Sequence, residues 1–103
     1  MFDDEHEAVN FRYDVQCMIK GENLSRKDKN VIRDRIMNEC VGDCLLVIGM
    51  PGHIKVHFHT DQPEDLFKIL EEYGTFEMKA IEDMKEQYEA FKAKKKQEKE
   101  ENN

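Results

Sequence analysis

Residues 53–61 read His-Ile-Lys-Val-His-Phe-His-Thr-Asp, an alternation of polar and apolar residues with hardly a break. Successive side chains on a β-strand point to opposite faces, so the pattern predicts a half-buried strand with Ile54, Val56 and Phe58 inward. His53, Lys55, His57 and His59 then share the outward face. The His57-x-His59 spacing adds chemistry. Two imidazoles on one strand face lie roughly 6–7 Å apart along the chain, close enough to converge on one ion. Three of the four histidines fall in this stretch. The spacing suits a solvated sheet face equally well, so the rest of the chain has to separate the two readings.

Phe11 to Ile19 also alternates, with Phe11, Tyr13, Val15, Cys17 and Ile19 on one face and Arg12, Asp14, Gln16 and Met18 on the other. This predicts a first strand, ended by Gly21-Glu22-Asn23. Ser25 is an N-cap candidate with Asp28 in the first turn. Val31, Ile32, Ile36, Met37, Cys40 and Val41 recur at helical spacing, predicting a helix over about 26–40 that Gly42 stops. Cys40 and Cys44 have the spacing of a metal-ligand pair. They straddle a helix end and a strand start, which favours two buried core thiols. Residues 44–48 form a continuous apolar run, and Gly49-Met50-Pro51-Gly52 is turn chemistry, so this strand pairs with the histidine strand as a hairpin.

Asp61-Gln62-Pro63-Glu64-Asp65 reads as a helix start, with Leu66, Phe67, Ile69, Leu70 and Tyr73 as its apolar face and Gly74 as its end. Phe76, Met78 and Ala80 mark a fourth strand facing the core. A last helix runs from Asp83 to about Lys96. Its apolar residues Met84, Tyr88 and Phe91 are sparse, which predicts docking for two turns and fraying beyond.

The order β-α-β-β-α-β plus a C-terminal helix is that of an α+β, two-layer, ferredoxin-like sandwich. Its antiparallel sheet would run 4-1-3-2, with both helices on one face. The 103 residues suit one domain, and 38% of them are charged, so the core is small. We expect an acidic disordered N-terminus at 1–9, a single α+β domain at 10–91 and a charged tail at 92–103. A net charge of -7 argues against nucleic acid and anionic membranes as partners. The basic run Lys92–Lys96 is followed directly by acids, as in a solvated helix end. No apolar run is long enough to span a membrane, and the acidic start lacks a signal-peptide pattern. Three cysteines, an odd number, without an export signal indicate reduced thiols and a cytoplasmic location.

With the first and third strands as antiparallel neighbours, Asp14 joins His57 and His59 on the open sheet face. Gln16, Thr60 and Asp61 stand around them as supporting residues. Two histidines and one carboxylate match an open zinc site or a non-haem iron site. Cys17 is the better zinc ligand by chemistry, but its parity puts it in the core, and only a bulge in the first strand would reverse that. Neutral imidazole is the ligand form, so uptake should weaken in acid.

Four segments then carry a family resemblance. They are Tyr13-Asp14-Val15-Gln16-Cys17, Gly42-Asp43-Cys44-Leu45-Leu46-Val47-Ile48-Gly49, Ile54 to Pro63 with its Val-His-Phe-His-Thr-Asp core, and Ile81 to Gln87. Together they resemble the region after the kinase domain in the dihydroxyacetone-kinase-like family that includes bacterial fatty acid kinase A. In that family the first strand often reads Tyr-Cys-Thr-Glu-Phe. The resemblance implies a metal-binding or active-site trio, whose positions are Asp14, His57 and His59 here. Aspartate in place of cysteine is a harder ligand and weakens the case for zinc.

The resemblance also implies a separate ATP-binding domain and a domain for an acyl-carrier partner. Neither fits within 103 residues, and no glycine-rich phosphate loop is present. The leading expectation is therefore a non-catalytic accessory domain of such a system, with a kinase domain or acyl-carrier protein as partner. The alternatives are a plain homodimerisation module and a small metal-dependent hydrolase or phosphotransfer site. A histidine-triad hydrolase is set aside because position 61, where a third alternating histidine would stand, is Asp61.

Overall fold

Strand β1 (Tyr13–Lys20) turns its alternating sequence directly into burial, with Val15, Cys17 and Ile19 fully enclosed. In the computed structural model, which describes residues 10–101 and side chains as far as residue 93, it leads to helix α1 (Arg26–Glu39) and the hairpin β2 (Gly42–Met50) and β3 (His53–Thr60). Helix α2 (Pro63–Leu70), strand β4 (Thr75–Asp83) and helix α3 (Met84–Glu101) complete the chain. The expected disordered segment at 1–9 and the last two tail residues lie outside the described residues. Helix α3 continues past Lys96 to Glu101, through a run of the helix formers Lys, Glu and Gln.

The sheet order is β2-β3-β1-β4 with every pair antiparallel. This is the α+β, ferredoxin-like sandwich that the element order implies. Helices α1 and α2 cover one face. Ile32, Ile36, Leu66, Ile69 and Leu70 meet Val15, Cys17, Ile19, Val56 and Phe58 there, and burial of these apolar surfaces is the main stabilising term. The backbone N–H and the hydroxyl of Ser25 donate to Asp28 Oδ2 at 2.8 and 3.0 Å, closing the first turn of α1. The buried stripe of α1 is narrower than its sequence suggests. Only Ile32 and Ile36 are enclosed, while Val31 and Met37 are 47% and 66% exposed.

Two glycines act differently from the helix stops expected of them. Neither Gly42 nor Gly74 has a left-handed backbone; among the described glycines only Gly52, in the hairpin turn, has positive φ, at 75°. Gly42 and Gly74 are sites of close approach. A Cβ on Gly74 would lie 2.5 Å from the Lys20 carbonyl oxygen, and one on Gly42 would collide with the His59 carbonyl and the Phe58 ring.

A bulge in β4 overturns one expected parity. Met18 pairs with Met78 but Ile19 pairs with Phe76, so Glu77 is the extra residue. Phe76 faces the core as expected. Met78 and Ala80 fall opposite Met18 and Gln16, on the open face. Lys79 takes the core-side position opposite Cys17, and its ammonium lies 4.8 Å from the Phe67 ring and 4.4 Å from the Phe76 ring.

Arg35 ties α1 to the turn that follows α2. It donates to Glu39 and Glu72, each at 2.8 Å, and to the Tyr73 hydroxyl at 3.2 Å. These hydrogen bonds hold both carboxyls below the usual glutamate range. A depressed folded-state pKa stabilises fully above the unfolded value, and the contribution fades as pH falls through the folded value. Arg35→Ala is therefore expected to flatten the acid limb of the stability profile below about pH 4–5 and to reduce its salt sensitivity. Superimposable acid unfolding curves for the two proteins would show that the cluster contributes nothing.

Candidate metal centre

Antiparallel pairing of β1 with β3 sets Asp14 opposite His59 and Gln16 opposite His57. All four project from the open face, because the partner residues Val15, Cys17, Val56 and Phe58 take the core side. Asp14 Oδ1 lies 2.6 Å from His57 Nε2 and 3.6 Å from His59 Nε2. The two rings are tilted by 60°, with centroids 5.6 Å apart. One ligand atom from each of the three residues falls within 4.8 Å of the others.

The 2.6 Å contact is close enough for an ion pair but is not a hydrogen bond. Asp14 Oδ1 and His57 Nε2 are both buried atoms without a hydrogen-bond partner. Buried polar atoms left in this state are costly, and a cation bound by both, with the two atoms drawn apart to ligand spacing, would satisfy them. The donor set therefore fits a divalent ion. Asp14, His57 and His59 would hold it, and a bound zinc would supply Lewis acidity and a water of lowered pKa.

His53, the third imidazole of the strand, stands apart. Its Nδ1 lies 3.1 Å from the Pro51 carbonyl oxygen and its Nε2 3.1 Å from Glu77. The supporting residues also divide. Gln16 shares the face beside His57. Thr60 is buried on the core side, where its hydroxyl donates to the Val41 carbonyl at 2.7 Å and accepts from the Gln62 N–H. Asp61 accepts the Arg12 N–H at 2.7 Å. These bonds of Thr60 and Asp61 shape the strand ends, and none of them reaches an imidazole.

Strand β2 contributes what the sequence reading missed. Asp43 pairs with His59, and the next regular pair is Leu46 with His57, so Cys44 and Leu45 together oppose the single residue Phe58. Cys44 has φ 55°, the left-handed position that such a bulge commonly gives to glycine. Leu46 faces the open side and Leu45 packs against the core, as the hairpin pairing requires, and the extra residue turns Asp43 to the open side as well. Cys44 is exposed, not a core thiol as expected, while Cys40 does pack against the core. Asp43 Oδ1 lies 3.6 Å from His59 Nδ1, and Asp43, Cys44 and His59 form a second group of potential ligand atoms within 4.8 Å of one another.

Comparison with known proteins places the chain. Residues 10–91 match the family model of the fatty acid kinase A-like middle domain. The chain belongs to this middle-domain family. Its relatives include an uncharacterized protein of Staphylococcus epidermidis, 35% identical over 83 residues, which cover 80% of this chain and 15% of that protein. An uncharacterized protein of Staphylococcus saprophyticus is 32% identical over the same shares of the two chains, and one of Staphylococcus aureus 31%. The chain thus spans about 15% of the length of the curated relatives it matches.

In this middle domain the three thiols differ sharply. Burial pushes the Cys17 thiol up to about 12, with Lys79 opposing weakly. Partial desolvation and then the carboxylates of Asp43 and Asp14 raise Cys44 as well, but its side chain is open to solvent. Brief alkylation of the folded protein near pH 8 is expected to modify Cys44 first and to leave Cys17 intact until unfolding. Labelling of Cys17 at the rate of Cys44, read by peptide mass spectrometry, would contradict the burial of β1. No helix among the described residues is long and apolar enough to cross a membrane.

Proposed function

We propose that this chain is an accessory, non-ATP-binding domain of a fatty-acid-kinase-like or dihydroxyacetone-kinase-like system. On its open sheet face Asp14, His57 and His59 form a divalent-metal site, with zinc as the ion to test. Family membership supports the first part. The single observation behind the second is the buried, unbonded pair Asp14 Oδ1 and His57 Nε2, with His59 beside it. A kinase domain and an acyl-carrier protein of the same system are the partners this role implies.

Zinc titration of the untagged protein by calorimetry tests the site. One ion per chain is expected at the Asp14–His57–His59 set, with weaker binding than a thiolate-containing trio would give. Absence of zinc uptake at neutral pH would remove the metal reading. ATP added to the same protein should give no binding heat, and a nucleotide-binding isotherm would overturn the accessory role.

A second reading, homodimerisation through the same face, is favoured by Leu46 and Ile48, which are 53% and 41% exposed there. Ile48, Lys55, Met18 and Met78 form one row across the sheet, a mixed surface of the kind found in wet interfaces. Light scattering should report a dimer of the 12.2 kDa chain, and a monomer at high concentration would exclude it.

A further inference from the structure

We propose that Cys44, Asp43 and the Nδ1 edge of His59 form a second, thiolate-containing site for a thiophilic divalent cation, on the opposite side of the His59 ring from Asp14 and His57. The site shares His59 with the centre proposed above but needs neither Asp14 nor His57.

Three observations meet here. The ligand atoms of Asp43, Cys44 and His59 lie within 4.8 Å of one another. The two edges of the His59 ring face different carboxylates, Nε2 facing Asp14 and Nδ1 facing Asp43, each at 3.6 Å. Finally, the backbone at Cys44 is held at φ 55°. A cysteine gains nothing from a left-handed backbone that glycine adopts freely, and non-glycine residues in that region collect at sites where the side chain has a task. The bulge it forms is also what turns Asp43 to the face of His59. Continued regularly from the hairpin pairs, Cys44 would stand opposite His59 and Asp43 opposite Thr60, so without the bulge Asp43 would point into the core.

A neutral imidazole carries one lone pair, so His59 serves one ion at a time, through Nδ1 or through Nε2. The two sets therefore compete for it. The Asp14 set, with no sulfur, suits harder ions, and the Cys44 set suits softer ones. Binding at Cys44 forms a sulfur–metal bond and breaks the S–H bond, with the proton released to solvent.

Cobalt(II) and cadmium(II) titrations of the full chain test this directly, because a thiolate–metal bond produces an ultraviolet charge-transfer band that carboxylate and imidazole ligands do not. The wild type is expected to show the band. Cys44→Ser should lose it and bind cadmium at least about tenfold more weakly. Cys44→Gly should lose it too while keeping its thermal midpoint at or above wild type, since glycine suits the left-handed backbone. That second variant separates a lost ligand from a damaged fold. His57→Ala should keep the band, which distinguishes this site from the Asp14–His57–His59 centre, and Cys40→Ser should keep it as well. A wild type without the band, or a band that survives Cys44→Ser, overturns the proposal.

Discussion

Replacing both His57 and His59 by alanine is expected to lower zinc affinity by at least about a hundredfold, or roughly 2.7 kcal/mol of binding free energy. The variant removes both neutral nitrogen donors and leaves Asp14 as a lone carboxylate. His57 and His59 are on the solvated face, 35% and 22% exposed, so the core beneath them is unaffected. Zinc at a hundred times its Kd should stabilise the wild type by about 2.7 kcal/mol through mass action and the double variant hardly at all. Thermal melts with and without zinc therefore read binding and stability together. Cys17→Ser should bind zinc as the wild type does, because that thiol lies on the other side of the sheet. Equal zinc shifts in the wild type and the double histidine variant would reduce the strand to a solvated face without a metal role. Uptake should also weaken in acid, since only the unprotonated nitrogen can coordinate.

Gly42→Ala should have the largest effect on stability. Its added methyl would meet the His59 carbonyl oxygen and the Phe58 ring, one of them backbone and the other part of the core. Neither can withdraw like the end of a flexible surface chain, so β2 has to move away from β3. Overpacking of this kind costs about 3 kcal/mol or more when the backbone is involved. For a domain of this size that lowers the unfolding midpoint by more than about 10 °C. The same displacement carries Asp43 and Cys44 away from His59, so metal binding at that edge should fall with stability. A midpoint within about 2 °C of wild type would mean that the hairpin slides to accept the methyl without loss.

The alternation of Phe11–Ile19 and of His53–Thr60 was enough to place Cys17, Val56 and Phe58 in the core and Asp14, His57 and His59 on the open face. A period of two needs no tertiary knowledge once one face is apolar. Element order was enough for the strand arrangement, and hence for Asp14 meeting His59 across β1 and β3. The family resemblance reached the same three positions.

Tertiary structure alone decided the rest, mainly through two bulges. One extra residue at Glu77 exchanged the faces of Met78 and Lys79, and one at Cys44 brought Asp43 to the imidazoles. A bulge leaves little local trace. It is held by long-range pairing on either side, and the residue that would have announced it, a glycine at the left-handed position, is here a cysteine. Gly42 shows the same limit from the other direction. Its sequence position after α1 suggests a helix stop, whereas its role is to let a neighbouring strand's carbonyl and a core ring come close, and that contact exists only once β2 and β3 are paired.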